Sequence, residues 1–82
     1  MMHKIAIERC EKLANKYSEK IREAIMKFKN GELDYVSILI LRDEVIEQFN
    51  KDIKKDALIE GVSDFEIKHI WNNTLKRLQA LL

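Results

Sequence analysis

The sequence predicts an all-α fold, an antiparallel three-helix arrangement in which a long helical hairpin is joined by a shorter third helix. Three observations carry that reading. The chain of 82 residues contains no proline, so nothing in it forbids helix. Its two glycines, Gly31 and Gly61, divide it into three segments. Each segment repeats its apolar residues at three- and four-residue steps, the spacing of one helix face. The whole chain, residues 1–82, reads as a single helical domain without repeats or linkers.

The first helix is expected over residues 3–30. Ile7, Cys10, Ala14, Tyr17, Ile21, Ala24 and Phe28 form its seam, and Leu13 and Ile25 widen the stripe beyond a two-stranded zipper. Asn30-Gly31 stops it, because glycine takes the left-handed C′ conformation without a Cβ clash, and Lys27 and Lys29 suit the negative end of the helix dipole. The second helix is expected over residues 34–60, with Asp34 as N-cap and Gly61 as terminator. Its stripe is Ile38, Leu41, Val45, Phe49, Ile53 and Ala57, joined by Leu39, Ile46 and Leu58. The third, over residues 63–81, opens on Ser63-Asp64-Phe65-Glu66, a capping box, with Val62 placed to staple onto Ile67. Its buried stripe is Ile67, Ile70, Trp71, Thr74, Leu75, Leu78 and Leu82.

Charge supports the hairpin. Residues 1–31 hold eight Lys/Arg and four Asp/Glu, a net of +4, whereas residues 32–60 hold four and eight, a net of −4. A short turn makes these helices antiparallel neighbours, and their opposite charges favour the pairing modestly. The third helix is then expected to fold over the apolar groove of the hairpin.

Composition limits the function. A single core in a chain this short stabilises it only marginally, so a protein partner or a homo-oligomer is expected. The longest apolar run, Ile38-Leu39-Ile40-Leu41, falls far short of the roughly 20 residues that span a bilayer. Met1-Met2-His3-Lys4 leads into charged helix rather than a secretory core, and the one cysteine, Cys10, fits a reducing compartment; a cytoplasmic protein is expected. Successive helical residues turn by about 100°, so Ile38, Leu39, Ile40 and Leu41 cannot all face one groove. These four are the candidate partner-binding residues.

Chemistry-bearing residues are few. Glu66-x-x-His69 has the spacing of a di-iron ligand pair, but that site needs a second pair and two more glutamates, and the capping box already accounts for Glu66. His3 and Cys10 share a face with no third ligand. Cys10 has no base specified beside it and reads as a core thiol. Trp71, Phe65 and Tyr17 could stack on bases, yet the basic residues of the first segment alternate with Glu8, Glu11, Glu19 and Glu23, and the chain carries only +1. Neither metal, cofactor, catalysis nor strong nucleic-acid binding is expected.

Two family resemblances add to this. Val62-Ser63-Asp64-x-Glu66-Ile67, then Ile70-Trp71 and Arg77-Leu78-x-x-Leu81, resemble a helix of the Hha-type family, helical partners of nucleoid-structuring proteins that modulate transcription. The position of that family's functional acidic residue holds Leu75. Ile7-Glu8-Arg9-Cys10-Glu11-Lys12-Leu13 and Phe28-Lys29-Asn30-Gly31-Glu32-Leu33 resemble the amino-terminal half of the cytosolic antiholins of T-even phages, which are small lysis-inhibition proteins. That second resemblance implies a non-catalytic protein in the cytoplasm of a bacteriophage host, binding the cytoplasmic segment of a membrane holin and delaying its pore.

Overall fold

The computed structural model describes residues 2–56, 59 and 61–82 and contains three helices: α1 (Met2–Lys29), α2 (Tyr35–Lys55) and α3 (Asp64–Gln79). No strand occurs among the described residues. At 1.5 Å per residue, the 28 residues of α1 account for most of the molecule's 45 Å length, so α1 is its long axis. Both other helices pack along it.

The expected stops and starts have visible causes. Gly31, at φ +76°, closes α1: its N–H donates to Phe28 O (3.0 Å) and Glu32 N–H to Lys27 O (2.8 Å), the bond pair of a Schellman motif. Asp34 then caps α2 by accepting from Ser37 N–H at 2.8 Å. The capping box of α3 is complete, with Glu66 N–H donating to Ser63 Oγ (3.1 Å) and Ser63 N–H to Glu66 Oε1 (3.2 Å). Val62 and Ile67 line one cleft at this end, as a staple requires.

The end of α2 differs from expectation. The helix stops at Lys55 rather than Glu60, with Asp56 in extended conformation at its C-cap. Arg9 Nε donates to Asp56 Oδ2 at 2.6 Å, a link from α1 across 47 positions that no local pattern announces. Ile59 then enters the core in a tight turn whose N–H donates to Asp56 O, and Gly61 at φ +96° redirects the chain into α3. Gly61 therefore serves a turn between helices. Ala57, Leu58 and Glu60, expected in this helix, lie outside the described residues.

The core takes one face from each helix. Ala6, Cys10, Ala14, Ile21, Ala24 and Ile25 come from α1, Ile38, Val45, Phe49 and Ile53 from α2, and Ile70, Trp71 and Leu78 from α3. Small residues on α1 let its neighbours approach closely. Two hydroxyls are buried with them, and each is satisfied locally: Ser18 donates to Asn15 O and Thr74 to Ile70 O. Leu82, expected in the α3 stripe, is exposed, because α3 ends at Gln79 and the final turn carries Leu81 inward instead.

Chain directions follow from cross-helix pairs. Arg9 meets Asp56 and Phe28 meets Tyr35, so α2 runs antiparallel to α1. His3 meets Glu66 and Asn15 meets Arg77, so α3 runs parallel to α1. The arrangement is up-down-up. The third helix packs along α1 and meets α2 through side chains, with Trp71 stacked on Phe49, while the backbones of α2 and α3 stay apart.

Two substitutions test this architecture. Gly31→Ala places a Cβ in open space but at positive φ, so it should destabilise by about 1–2 kcal/mol through backbone conformation alone. Phe49→Ala empties the fully buried centre and should cost about 3–5 kcal/mol. Urea unfolding followed by circular dichroism reads both; a Phe49→Ala protein as stable as its parent would contradict the core described above.

Candidate functional site

The run Ile38-Leu39-Ile40-Leu41 is spread around α2 as its helical steps require. Ile38 is buried and Leu41 packs against the core. Leu39 is half-buried and turns toward α3, where it lines a hollow with Ile21, Ile38, Leu75 and Leu78. Ile40 points outward with 56% of its surface exposed. Val36, one turn earlier on the same face, is 61% exposed, and Tyr35 borders it. Continuing along this outer face, the chain turns acidic, with Asp43, Glu44 and Glu47 all exposed. Two of these acids have cationic neighbours on their own helix: Arg42 beside Asp43 at 3.5 Å and Lys51 beside Glu47 at 3.4 Å. Exposed pairs of this kind contribute only a few tenths of a kcal/mol.

A second feature is the groove between α2 and α3. Because α2 and α3 pack closely on α1 but approach each other through side chains rather than backbone, an open trough of about 450 Å³ remains, lined by Ile46, Ile53, Ile67, Trp71 and Leu75 with Asn50, Lys54, Asp64, Lys68 and Asn72 along its sides. Leu75 also lines the hollow beside Leu39, so the two are neighbours. Trp71 stacks on Phe49 beneath, with ring centroids 4.8 Å apart, and its indole N–H is buried without a hydrogen-bond partner.

A polar cleft of about 540 Å³ lies between the first half of α1 and α3. His3 Nε2 donates to Glu66 Oε2 at 2.7 Å, tying the start of α1 to the capping box. Bonds from Ser63, then from His3, hold the Glu66 carboxyl below its usual range. His69 stacks on Phe65 and lies 3.3 Å from Asn73, while Arg77 donates to Asn15 and Thr74. Glu66 and His69 thus have separate attachments. No group of three or more His, Cys, Asp or Glu able to hold a metal ion occurs among the described residues.

Other sequence candidates resolve simply. Cys10 is fully buried; burial, reinforced by Glu11, pushes its thiol from 9.0 up to about 11. Thiolate is the reactive form, so the side chain is held unreactive. Trp71 is core, and Tyr17 packs edge-on against Phe49 with its hydroxyl donating to Asp52, which leaves Phe65 as the exposed ring of the three. No helix of the described residues is long and apolar enough to cross a membrane. Sequence reasoning missed the groove and Val36. The spacing of Val36 and Ile40, four apart on a single face, was the available signal for the latter.

Compared with protein families, curated proteins and solved structures, the chain matches none of them.

Cys10 supplies a direct check. Iodoacetamide at neutral pH should modify the native protein far more slowly than the urea-unfolded chain. Because the folded thiol titrates above the unfolded one, its contribution to stability is complete below pH 9 and is lost as pH rises toward 11. Rapid native alkylation would show that α1 does not bury this residue.

Proposed function

We propose that the protein is a non-catalytic helical interaction module that binds the cytoplasmic segment of a membrane-embedded holin and delays pore formation, the role implied by its resemblance to the T-even antiholins. The observation that carries the reading is the outer face of α2, where Val36 and Ile40 stand exposed and Asp43, Glu44 and Glu47 follow. Exposed apolar anchors on one helix face suit docking of another segment. Membrane-flanking segments on the cytoplasmic side carry an excess of Lys and Arg, and an acidic face favours them. The resembling stretch Phe28–Leu33 contains the Schellman turn that aims this helix.

The chain as a whole supplies little for non-specific nucleic-acid binding, since its net charge is +1. An Hha-type role has weaker support, because Leu75 is half-buried against the core where that family's acidic residue would stand.

Fluorescence anisotropy with a labelled holin cytoplasmic segment tests the proposal. Direct binding is expected, with duplex DNA at physiological salt giving none. Ile40→Glu should weaken binding about tenfold or more, equivalent to about 1.4 kcal/mol, with helix content unchanged. Absence of holin binding, or an Ile40→Glu protein that binds normally, rejects it; tight DNA binding in its place would favour the nucleoid-associated role.

A further inference from the structure

We infer that one flank of α1 is a docking surface for an anionic lipid bilayer, along which the protein lies peripherally. The charges of α1 alternate along the sequence but separate around the helix. Arg9, Lys12, Lys16, Lys20, Glu23 and Lys27 follow one another at steps of three and four, the spacing of a single face. Lys4, Glu8, Glu11, Glu19, Arg22 and Lys29 fall on the adjoining face. The first stripe holds five cations and one acid, a net of +4, and the second holds three of each, a net of zero. All of the +4 that residues 1–31 carry therefore lies on one stripe.

Cross-helix bonds place the two stripes. Arg9 meets Asp56 of α2, whereas Asn15, between Glu11 and Glu19 on the second stripe, meets Arg77 of α3, so the cationic stripe runs along the α2 flank. Its six charged residues are all exposed. Lys12, Lys16, Lys20 and Lys27 make no ion pair with a described residue, and Asp52, an acid on this side of α2, is engaged by Tyr17 and Gln48. From Arg9 to Lys27 the row is about 27 Å long, at 1.5 Å per residue. A planar anionic surface can meet all of it at once, each lysine strengthening attachment about fivefold. Ile5, four residues before Arg9 on the same stripe, is 61% exposed, an apolar side chain that suits a headgroup layer and gains nothing from a phosphate backbone. Duplex DNA matches less well for a second reason: the chain carries +1 in all, so everything outside the stripe sums to −3.

The inference does not rest on holin binding, which uses the outer face of α2. Flotation of the untagged full chain with vesicles that contain no protein tests it. Mixed phosphatidylglycerol and phosphatidylcholine vesicles should carry the chain up the gradient at low ionic strength, and phosphatidylcholine alone should not. Salt should release it, as the Debye length falls from about 10 Å at 0.1 M to about 3 Å at 1 M. Lys16→Glu combined with Lys20→Glu should lower partitioning about tenfold or more. Lys4→Glu combined with Arg22→Glu changes the net charge equally on the balanced stripe and should cost far less. Circular dichroism checks that helix content is unchanged, and Lys16→Gln with Lys20→Gln is the milder pair should the reversal disturb it. No flotation with the anionic vesicles, equal flotation with the neutral ones, or an equal loss from both charge-reversed pairs overturns the inference. Lysine-dependent binding to duplex DNA that is tighter than to vesicles also overturns it, and assigns the stripe to nucleic acid.

Discussion

One ring from each helix meets at a single point, and the tertiary arrangement depends on it. Phe49 of α2, fully buried, takes Tyr17 of α1 edge-on at 6.0 Å and Trp71 of α3 nearly face-to-face at 4.8 Å. Aromatic pairs at these separations add about 0.5–1.5 kcal/mol each beyond their buried area. The larger consequence is geometric. Helices α2 and α3 touch α1 along their lengths but make no backbone approach to each other. The Phe49–Trp71 stack is thus the joint through which α3 senses the position of α2. At the outer end of each helix, a polar link completes the attachment, Arg9 with Asp56 for α2 and His3 with Glu66 for α3.

From that joint the groove follows. A side-chain bridge spans more distance than direct helix contact would, so α2 and α3 splay enough to leave an apolar trough with lysines at its edges. The same rotation of α2 that buries Ile38, Val45, Phe49 and Ile53 turns Val36 and Ile40 to solvent. Core and outer surface are two views of a single constraint: 21 residues of helix carrying more apolar side chains than one face can accommodate.

Much of this was legible in the residues. Asp34, the Asn30-Gly31 pair and the Ser63-x-x-Glu66 box each act through bonds to residues within five positions, and all three occur where local chemistry places them. The α1 seam from Ile7 to Phe28 is likewise periodic and packs on the core. What could not be read locally was set by distant partners. The end of α2 involves Arg9, on another helix, and the exchange of Leu82 for Leu81 arises because the last turn leaves α-helical geometry. Nor does periodicity report helix crossing. Leu39 and Ile40 look alike in the sequence, yet one borders the groove and the other faces outward, a difference decided by how α2 lies against two neighbours.

Trp71 is the single tryptophan of the chain, and it sits at an aromatic joint between α2 and α3. Its indole is buried and stacked on Phe49, so its emission responds to changes at that joint. The molecule thereby contains its own optical gauge: a helix entering the trough, a loosening of the stack or water reaching the indole would each alter ultraviolet fluorescence without any attached dye.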